Sequence, residues 1–275
     1  MKIPATIGVL TYNSEKNLAR CLASISDFAE IVVADGGSTD ATLQIAHAAD
    51  ARVIPQSNPG HAITDFSRER NLTLSAASQP WFFYLDSDEI MSQELIEHIR
   101  SIASDASHPY GAYRVRYLKT NADASKIYRT YREYYQIRLV RTDVGAHFER
   151  PVHEHLEIPK GVATGQTEAP WYVPLDSEYL SLRVFAKKAW TRTRAEAASW
   201  RPNSVKAIFL GIIGIPGTRI AKSIFKMVAV KIRYGNSAIP VRYELLRILY
   251  SCFLSLRYAQ SLIRGRTSRP GVVSI

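Results

Sequence analysis

Short strand-like runs alternate with helical segments over the first hundred residues, and this order constrains the fold more than any other feature of the chain. Apolar, β-rich runs predict strands over residues 5–10, 30–35, 52–55 and 81–85. Apolar residues at helical spacing predict helices over 14–26, 64–78 and 92–103, with a further helix capped by Ser38. The repeated strand–helix–strand order is typical of an α/β domain with a mostly parallel sheet flanked by helices.

The pattern changes after residue 110. Residues 111–120 and 131–141 predict longer, more exposed strands, because apolar and cationic residues alternate there. Residues 142–175 are rich in His, Pro and Gly and predict irregular structure, whereas the chain from 180 to about 264 predicts helices. We therefore expect an α/β domain over 1–175 and a basic, amphipathic helical extension over 176–275.

Charge is distributed unevenly along the chain. Residues 175–275 contain 18 Lys and Arg but 4 Asp and Glu, whereas the preceding residues contain 17 basic and 21 acidic side chains. A basic part joined to an acidic part suggests a polyanionic partner, either anionic lipid or nucleic acid. A merely solvated basic tail is the alternative.

The cysteines and the N-terminus bear on the cellular compartment. Cys21 and Cys252 lie far apart in apolar stretches, which does not predict a disulfide framework. The N-terminus runs directly into the first predicted strand, without a long apolar region or a cleavage site, so a signal peptide is not expected. Both observations favour a reducing cytosol.

Polar residues follow the first, second and fourth predicted strands. Ligands of parallel α/β sheets bind at the carboxyl ends of the strands, so we expect these residues to meet at one edge. Asp86 and Asp88 follow the strand that ends at Leu85, and neighbouring carboxylates repel each other. Bound Mg²⁺ or Mn²⁺ would relieve this repulsion. An acidic start of the helix that follows Ser92 is the alternative.

Two further segments reach the same edge. After Asp35, two glycines would let the backbone approach a ligand, and Ser38 and Thr39 would offer hydroxyl groups; a tight turn with a capping serine is the alternative. The end of the first strand offers an aromatic face and polar groups at Thr11, Tyr12 and Asn13. A plain loop leading into a helix is the alternative. Arginines on the helix over 64–78 either meet a pyrophosphate or pair with the nearby acids: Arg68 and Arg70, followed by Asn71.

Taken together, the segments 9–15, 30–40, 70–71 and 85–89 resemble the family 2 glycosyltransferases with the GT-A fold. The resemblance covers residues 1–100 and departs from the family at Leu10, where many members carry proline. It implies a D-x-D motif at Asp86 and Asp88, with Asp88 the more direct ligand of a divalent metal. It also implies a nucleotide-sugar-binding catalytic domain over 1–175 whose base and ribose contacts are Thr11, Tyr12 and Asp35. The remaining donor-binding residues that we predict are Asn13, Glu15, Gly36, Arg70, Asn71 and Asp86.

The motif over residues 152–156, paired with the motif over 85–89, resembles the subgroup that extends lipopolysaccharide cores and related cell-surface glycans. Glu154 is then the candidate general base, which removes the proton of the acceptor hydroxyl group. His153 or His155 would complete the metal shell or contact phosphate, and we predict His155 as the ligand. A loop salt bridge from Glu154 to Arg141 or Arg150 is the alternative.

The C-terminal third suits a membrane surface. Residues 207–216 are apolar but too few to cross a bilayer, which needs about 20 residues, and Gly and Pro interrupt them. Beyond them, apolar residues recur at helical spacing with Lys and Arg at the edges, a pattern typical of helices in a membrane interface. Helices that pack on the catalytic domain are the alternative.

The resemblance therefore implies an inverting hexosyltransferase that moves a single sugar, since the Q-x-x-R-W motif of processive synthases is absent. The donor would be a nucleotide diphosphate sugar, first of all a UDP-sugar, and the acceptor a glycan or lipid-linked molecule in lipopolysaccharide or other cell-envelope polysaccharide synthesis. We expect the protein at the cytoplasmic face of the plasma membrane, on an anionic surface and not on nucleic acid. The alternatives are a nucleic-acid-binding protein, a nucleotidyltransferase that makes nucleotide sugars, and a non-catalytic sugar-nucleotide binder.

Overall fold

A computed structural model describes residues 1–61, 63, 65–105, 107–151, 154–175, 181–198, 200 and 202–267. The chain forms two compact units. The first contains residues 1–120 and 133–174, and the second contains residues 121–132 and the chain from residue 175. The segment 121–132 thus groups with the C-terminal part, although the sequence predicts an unbroken domain over 1–175. The functions predicted for the two parts stay predictions.

The first unit begins with alternating strands and helices. The strands are β1 (Ile3–Thr11), β2 (Phe28–Asp35), β3 (Arg52–Pro55), β4 (Trp81–Asp86) and β5 (Ile90–Met91). The helices are α1 (Glu15–Ser24), α2 (Thr42–Ala48), α3 (Phe66–Ser75) and α4 (Gln93–Ala103). Strands β3, β2, β1 and β4 lie side by side in that order, and all pair in parallel. This half of the sheet matches the sequence prediction.

Antiparallel strands extend the same sheet. They are β6 (Ala112–Asn121), β8 (Tyr134–Arg141) and β11 (Thr164–Leu175), which follow the first four strands in the order β4, β8, β6, β11, β5. Strand β8 pairs antiparallel with both β4 and β6. A separate antiparallel pair is formed by β9 (His147–Glu149) and β10 (His155–Glu157). The predicted α/β class, a large sheet flanked by helices, is confirmed, and the sheet is mixed because its second half is antiparallel.

Residues 142–175 are more regular than the sequence predicts. Strand β11 has 12 residues although it contains both Pro170 and Pro174, and prolines favour irregular structure. Proline removes only its own amide donor and is tolerated at strand positions where the ladder does not need it. Between the two prolines, Trp171 is fully buried in the main core, so burial of its indole ring outweighs the local signal of proline.

The predicted cap of the second helix is wrong. Helix α2 begins at Thr42 with Ala41 at its N-cap position, three residues later than a cap at Ser38 requires. The Ser38 hydroxyl group instead donates to the Asp35 carboxylate, 2.6 Å away. Competition between a side-chain acceptor and the helix for local donors is common for such residues. Residues 36–41 therefore form a loop at the sheet edge.

The buried core fixes the positions of the strands that carry polar residues at their ends. Helix α3 lies so close to β1 that a Cβ atom on Gly8 would lie 2.7 Å from the Thr73 hydroxyl oxygen and 2.8 Å from the Phe82 ring. On the other side of the sheet, helices α1 and α4 bury apolar side chains against β1 and β4: Leu18, Leu22, Leu95 and Ile99 against Ile7, Val9, Phe83 and Leu85. Close packing of this kind leaves little freedom for the strand ends.

The second unit is mostly helical. It contains the short strand β7 (Ile127–Tyr128) and the helices α5 (Leu182–Ala198), α6 (Val205–Phe209), α7 (Ile215–Tyr234) and α8 (Val241–Thr267). Helices α5 and α7 both contact α8. One π-helical turn, Leu210–Gly214, joins α6 to α7 without a break.

The predicted interruption of the apolar stretch at 207–216 is therefore wrong. The π turn contains both glycines and runs directly into Pro216, which has no amide to donate to the preceding turn. The Ile212 carbonyl oxygen, four residues before Pro216, accepts from the Ser255 hydroxyl group of α8 instead. The helix Val205–Ser237 has 33 residues and a mean hydropathy of 1.4 in its most apolar window. By length and composition alone it is sufficient to cross a membrane.

Candidate active site

The carboxyl ends of β1, β2 and β4 lie together at one edge of the sheet. Thr11 at the end of β1 is in register with Asp35 at the end of β2, and Leu10 is in register with Asp86 at the end of β4. The structure therefore brings together the strand ends that carry the predicted site residues. Their side chains differ in how much they are already bound within the chain.

Asp35 is buried and its carboxylate is fully engaged by its own loop. One oxygen accepts from the hydroxyl groups of Thr11 (2.9 Å) and Ser38 (2.6 Å), and the other accepts from the amides of Gly37 and Ser38 (both 2.8 Å). Four hydrogen bonds fill the acceptor capacity of a carboxylate. Asp35 and Thr11 thus shape the loop after β2, and a direct contact of either side chain with a donor stays a prediction.

Asn13 and Glu15 hold the other side of this loop. The Asn13 amide donates to the Ser38 hydroxyl oxygen (2.8 Å), and its side-chain oxygen accepts from the Thr39 amide (2.9 Å). Asn13 has a φ of 49°, a left-handed conformation that asparagine adopts more readily than most residues. The Glu15 carboxylate accepts from the Ala41 amide at 3.1 Å. Both predicted donor-binding residues therefore brace the loop, and their contact with a donor stays a prediction.

Tyr12 and Gly36 form the open part of the edge. The Tyr12 side chain is 48% exposed, and a Cβ atom on Gly36 would lie 3.1 Å from the Tyr12 ring and 3.0 Å from the Gln56 side-chain oxygen. Gln56 is buried and donates to the carbonyl oxygens of Thr11 (3.1 Å) and Ala34 (3.0 Å). Gln56 could not be predicted from the sequence, because a lone glutamine after β3 carries no motif. An exposed ring beside a glycine is a surface on which a flat base can stack.

Arg70 links the two acids to which we assign the chemistry. Its side chain is 2% exposed and donates to the Leu85 carbonyl oxygen at 2.9 Å and to the Asp86 carboxylate. Its Nε atom lies 3.7 Å from a carboxylate oxygen of Glu154. Arg70 therefore pairs with nearby acids, which is one of the two alternatives that the sequence leaves open. Asp86 and Glu154 lie on either side of its guanidinium group.

Arg141, which the sequence offers as an alternative partner of Glu154, pairs with a different acid. Its guanidinium group contacts the Asp143 carboxylate at 2.5 Å. Glu154 faces the strand end that carries Asp86 instead, with 21% of its side chain exposed. A partly exposed carboxylate at this position has access to an incoming hydroxyl group.

Asn71 is occupied by the backbone of β9. Its side-chain nitrogen donates to the Phe148 carbonyl oxygen (2.9 Å), and its side-chain oxygen accepts from the Phe148 amide (2.8 Å). This pair fastens β9 to α3, beside Arg70. Asn71 thus positions the β9–β10 segment, and its contact with the donor stays a prediction.

Glu89 and Arg138 form a buried ion pair beneath the turn that carries Asp86. The Arg138 guanidinium group contacts both Glu89 oxygens, at 2.9 and 3.3 Å, and lies between the rings of Tyr84 (4.2 Å) and Trp171 (4.4 Å). The Glu89 carboxylate also accepts from the Asp86 amide at 3.0 Å. The sequence analysis did not single out Arg138, because it lies on β8, far along the chain from the acidic turn.

The two carboxyl groups of this turn have pKa values shifted in opposite directions. Desolvation by burial raises the pKa of Asp86, but the guanidinium groups of Arg70 and Arg138 outweigh it and hold this pKa below its usual range. Burial raises the pKa of Glu89 to about 7 although Arg138 acts in the opposite direction, and the Asp86 carboxylate adds to the rise. Asp86 is therefore the carboxylate that keeps its negative charge at the exposed edge near neutral pH.

Asp86 and Asp88 fit a divalent cation as two exposed carboxylates on one turn. They do not form the start of α4, because β5 intervenes and Ser92 caps that helix by accepting from the Leu95 amide at 3.1 Å. Among the described residues, no three His, Cys, Asp or Glu side chains gather around one point that would hold a metal ion. Mg²⁺ and Mn²⁺ are commonly held by one or two carboxylates together with substrate phosphates, so the pair suffices only with a phosphate ligand.

The described residues do not gather His155 with this pair, and its role as a metal ligand stays a prediction. The residue lies on β10, where alternate side chains share a face, and its ring nitrogen is 3.6 Å from the Glu157 carboxylate. More than half of the His155 side chain is exposed. The other histidine considered, His153, lies outside the described residues.

Comparison with known proteins gives a consistent result. The profile of the family described as "Glycosyl transferase family 2" matches residues 6–152, more than half of the chain. The lipopolysaccharide core biosynthesis glycosyltransferase LpsC of Rhizobium meliloti (strain 1021) is 27% identical over 161 residues, which are 58% of this chain and 59% of LpsC. The prophage-derived glycosyltransferase SunS of Bacillus subtilis (strain 168) is 33% identical over 99 residues, 36% of this chain and 23% of SunS.

The chain spans less than two thirds of the length of these relatives. Among solved structures, S. aureus TarS 1-349 in complex with UDP-GlcNAc is similar over 95% of this chain and 92% of that one, with 17% identity and a TM-score of 0.47. That degree of likeness is too low to carry an argument about ligands.

Proposed function

This chain belongs to glycosyl transferase family 2 and has its GT-A-type α/β fold, and on that premise we propose that it transfers one sugar, with inversion, from a nucleotide diphosphate sugar to a hydroxyl group of an acceptor. The donor would lie at the carboxyl ends of β1, β2 and β4, with its base on the exposed face of Tyr12 beside Gly36. The activity proposed is that of a hexosyltransferase, with a UDP-sugar as the first donor to test.

The observation that carries this proposal is the joint contact of Arg70 with two acids. The guanidinium group contacts Asp86 at the exposed edge and lies 3.7 Å from Glu154, so the two carboxylates are held a short distance apart by a buried cation. In this proposal, Asp86 would lie near the diphosphate end of the donor and Glu154 near the acceptor. A purely structural salt bridge would not need two acids drawn from separate segments at a ligand-binding edge.

Asp86 and Asp88 are the residues that would hold a divalent metal, Mg²⁺ or Mn²⁺, as part of this proposal. The bound ion would stabilise the negative charge that grows on the leaving diphosphate. Low pKa and half-exposure of the Asp86 carboxylate support its role, since a metal ligand must be deprotonated and accessible. We propose Asp88 as the more direct ligand, as the resemblance to the family implies.

The chain's own groups would act as follows. Glu154 accepts the proton of the acceptor hydroxyl group as its oxygen attacks the anomeric carbon of the sugar. The bond between that carbon and the diphosphate oxygen breaks, and the diphosphate departs as an anion, without protonation by an acid. Arg70 keeps Glu154 and Asp86 at fixed positions through its buried guanidinium group.

We also propose the cellular setting. The relative LpsC is described by its function in lipopolysaccharide core biosynthesis, which favours a glycan or lipid-linked acceptor in cell-envelope polysaccharide synthesis. Such an acceptor would place the protein at the cytoplasmic face of the plasma membrane, as a peripheral protein on an anionic surface. The excess of Lys and Arg after residue 175 supports this location.

Substitution of Glu154 by Gln tests the assignment of the base. The amide keeps the size of the side chain and removes the proton acceptor, so we expect turnover to fall about 100-fold or more while donor binding is retained. Turnover is measured as release of nucleoside diphosphate in the presence of acceptor, and donor binding by calorimetry.

The matched control is Glu157→Gln. Glu157 is on the adjacent strand, is half-exposed and contacts only the His155 ring among the ion pairs described, so its loss should leave turnover unchanged. Normal turnover in Glu154→Gln would remove Glu154 from the role of base. Equal losses in both variants would point to damage of the β9–β10 pair instead.

A further inference from the structure

The helix Val205–Ser237 exposes a continuous apolar row. Six large apolar side chains on it are between 47% and 83% exposed and follow one another at intervals of four residues, apart from one gap: Val205, Phe209, Ile213, Ile224, Val228 and Ile232. The gap is filled at the same spacing by Gly217 and Ala221, both exposed. We name these eight residues the apolar stripe. Residues so spaced lie on one side of a helix.

The opposite side of the helix is the one that packs within the second unit. Pro216, Ser223 and Val230 are buried and recur every seven residues. Only 17% of the most apolar 18-residue window of this helix is buried. The helix therefore already has a packed face, and the apolar stripe is additional apolar surface directed away from it. Contiguous apolar surface of this kind marks interaction sites in soluble proteins.

Cations form a second row beside the stripe. Arg219, Lys222, Lys226 and Arg233 follow helical spacing on the flank between the stripe and the packed face. Lys206 and Lys231 add two more positive charges, and residues 205–237 contain no Asp or Glu. We name these six residues the cationic row. The helix thus combines exposed apolar side chains with positive charges and no negative ones.

Other parts of the second unit add to the positive charge near Lys226. Arg247 on α8 and Arg132 in the segment 121–132 both act on it, and burial first, then Arg247, lower the pKa of the Lys226 amine. The acid nearest to this group, Glu244, is buried and paired with Arg247 at 3.4 Å. The segment 121–132 is fastened here by the Arg129 amide, which donates to the Ser237 carbonyl oxygen at 2.7 Å. An anionic group would relieve the repulsion among these cations.

Aromatic and apolar groups of the same segment extend the apolar surface. The Tyr131 ring is 40% exposed and meets the Phe225 ring edge-on, with centroids 5.6 Å apart. Phe225 is itself 60% exposed and adjoins Ile224 of the stripe. Tyrosine favours the boundary between lipid and water, because its ring is apolar and its hydroxyl group is polar.

We propose that the apolar stripe and the cationic row dock the second unit on a bilayer that contains anionic lipid. The proposal rests on the proposed function and deepens it, since it names the surface by which the enzyme would hold to the membrane that carries its acceptor. The apolar stripe enters the interface between headgroups and acyl chains, and the cations contact the anionic headgroups. The helix lies along the surface.

The distribution of charge favours this occupant over three others. A second copy of the chain would set the same cations against each other. Nucleic acid would neutralise the cations but leave the apolar stripe in water. A membrane-spanning orientation of its most apolar part would still carry Arg219 and Lys222 into the acyl-chain region, where charge is disfavoured.

Sedimentation of the purified full chain with lipid vesicles tests the proposal. Vesicles of phosphatidylcholine alone are compared with vesicles of phosphatidylcholine mixed with phosphatidylglycerol, at low and high salt. We expect binding to the mixed vesicles, weaker binding at high salt, and little binding to phosphatidylcholine alone. The double variant Ile224→Ser/Ile232→Ser should bind the mixed vesicles about tenfold or more weakly.

The control is Leu245→Ser/Leu256→Ser, which alters two apolar residues of α8 with comparable exposure, 50% and 47%. It should bind vesicles as the unaltered chain does, and thermal unfolding checks that both variants are folded. Equal vesicle binding by the stripe variant and the unaltered chain would overturn the proposal. So would an absence of vesicle binding by the unaltered chain, a dimer that the stripe variant dissociates, or tighter binding to DNA than to vesicles.

Donor binding in solution separates this proposal from the proposed function. The stripe lies on helices of the second unit and the donor residues on the first, so the stripe variant should bind a nucleotide sugar as the unaltered chain does. Vesicle binding without any donor binding would refute the proposed function and leave the docking surface standing. Donor binding without vesicle binding would refute the docking surface alone.

Discussion

Arg70 is the residue on which the candidate site depends most. Its guanidinium group is buried, yet its Nε atom makes no hydrogen bond and faces Glu154 at 3.7 Å. A buried polar atom without a close partner is uncommon and is stabilised if the nearby acceptor moves in. The same group contacts Asp86, so any ligand that withdraws the Asp86 carboxylate leaves Arg70 freer to bind Glu154. In the proposed reaction, donor binding and placement of the base would be connected through this one side chain.

Gly37 is required by the backbone of the loop after β2. Its φ is 85°, and a Cβ atom there would lie 2.8 Å from the Gly60 nitrogen, which is backbone and cannot rotate away. We expect Gly37→Ala to destabilise the chain by more than about 1 kcal/mol, because both the conformation and the contact oppose the added methyl group. Donor affinity should fall as well, since the loop carries Gly36. Chemical unfolding and calorimetry measure the two effects.

Gly217→Ala is the matched control for this prediction. Gly217 is on α7, and no atom outside its immediate surroundings lies within 4 Å of the position of its Cβ atom. Alanine favours helix over glycine, so this variant should be unchanged or about 0.4–1 kcal/mol more stable. If Gly37→Ala were as stable as the control and bound donor normally, the loop would not need its left-handed residue.

At the scale of elements, the Glu89–Arg138 pair joins β8 to the turn after β4. We expect Arg138→Met to destabilise the chain by about 3–5 kcal/mol, because it leaves the Glu89 carboxyl group buried without its partner. Urea unfolding monitored by circular dichroism measures the change. A loss below about 1 kcal/mol, typical of an exposed ion pair, would show that this pair does not fix the turn.

The double variant Glu89→Leu/Arg138→Met separates the buried charge from the geometry of the turn. Replacing both partners by apolar groups removes the unpaired charge, so much of the stability should return. The Asp86 amide would still lack its acceptor, since the Glu89 carboxylate accepts from it at 3.0 Å. We therefore expect donor affinity to stay reduced in the double variant even where stability recovers.

The elements of the first hundred residues could be predicted because strand-like runs and helical spacing are well separated there. The third strand has the predicted bounds, 52–55, and β4 extends the predicted 81–85 by one residue. Strand β11 could not be predicted, because two prolines obscure a segment held in place by burial of Trp171. The unbroken helix from 205 to 237 could not be predicted for a similar reason, because glycines that suggest an interruption lie within a π-helical turn.

The candidate site divides in the same way. The acidic turn and the residues at the strand ends carry recognisable motifs, and the parallel register of β1, β2 and β4 brings them together. Gln56 and Arg138 lack a motif because their partners lie 45 and 49 residues away along the chain. The role of His155 stays a prediction, because spacing alone does not reveal to which side a short antiparallel strand directs its ring.

At the scale of the whole molecule, chemistry and charge are assigned to different units. The first unit holds the acidic edge with Asp86, Asp88 and Glu154, and the second unit holds the apolar stripe and the cationic row. Residues 175–275 carry 18 basic and 4 acidic side chains, so the proposed donor and the proposed anionic surface would be met by different parts of the chain. We therefore expect the two proposed functions to respond independently to substitution.

The most direct test of the account is titration of the purified chain with a panel of nucleotide diphosphate sugars, with and without Mn²⁺ or Mg²⁺. We expect one donor to bind and to raise the unfolding temperature, to do so more strongly with the metal, and to lose the effect of the metal in Asp88→Asn. If a folded chain bound none of these donors under any of these conditions, the assignment of a nucleotide-sugar site to the edge formed by β1, β2 and β4 would be contradicted.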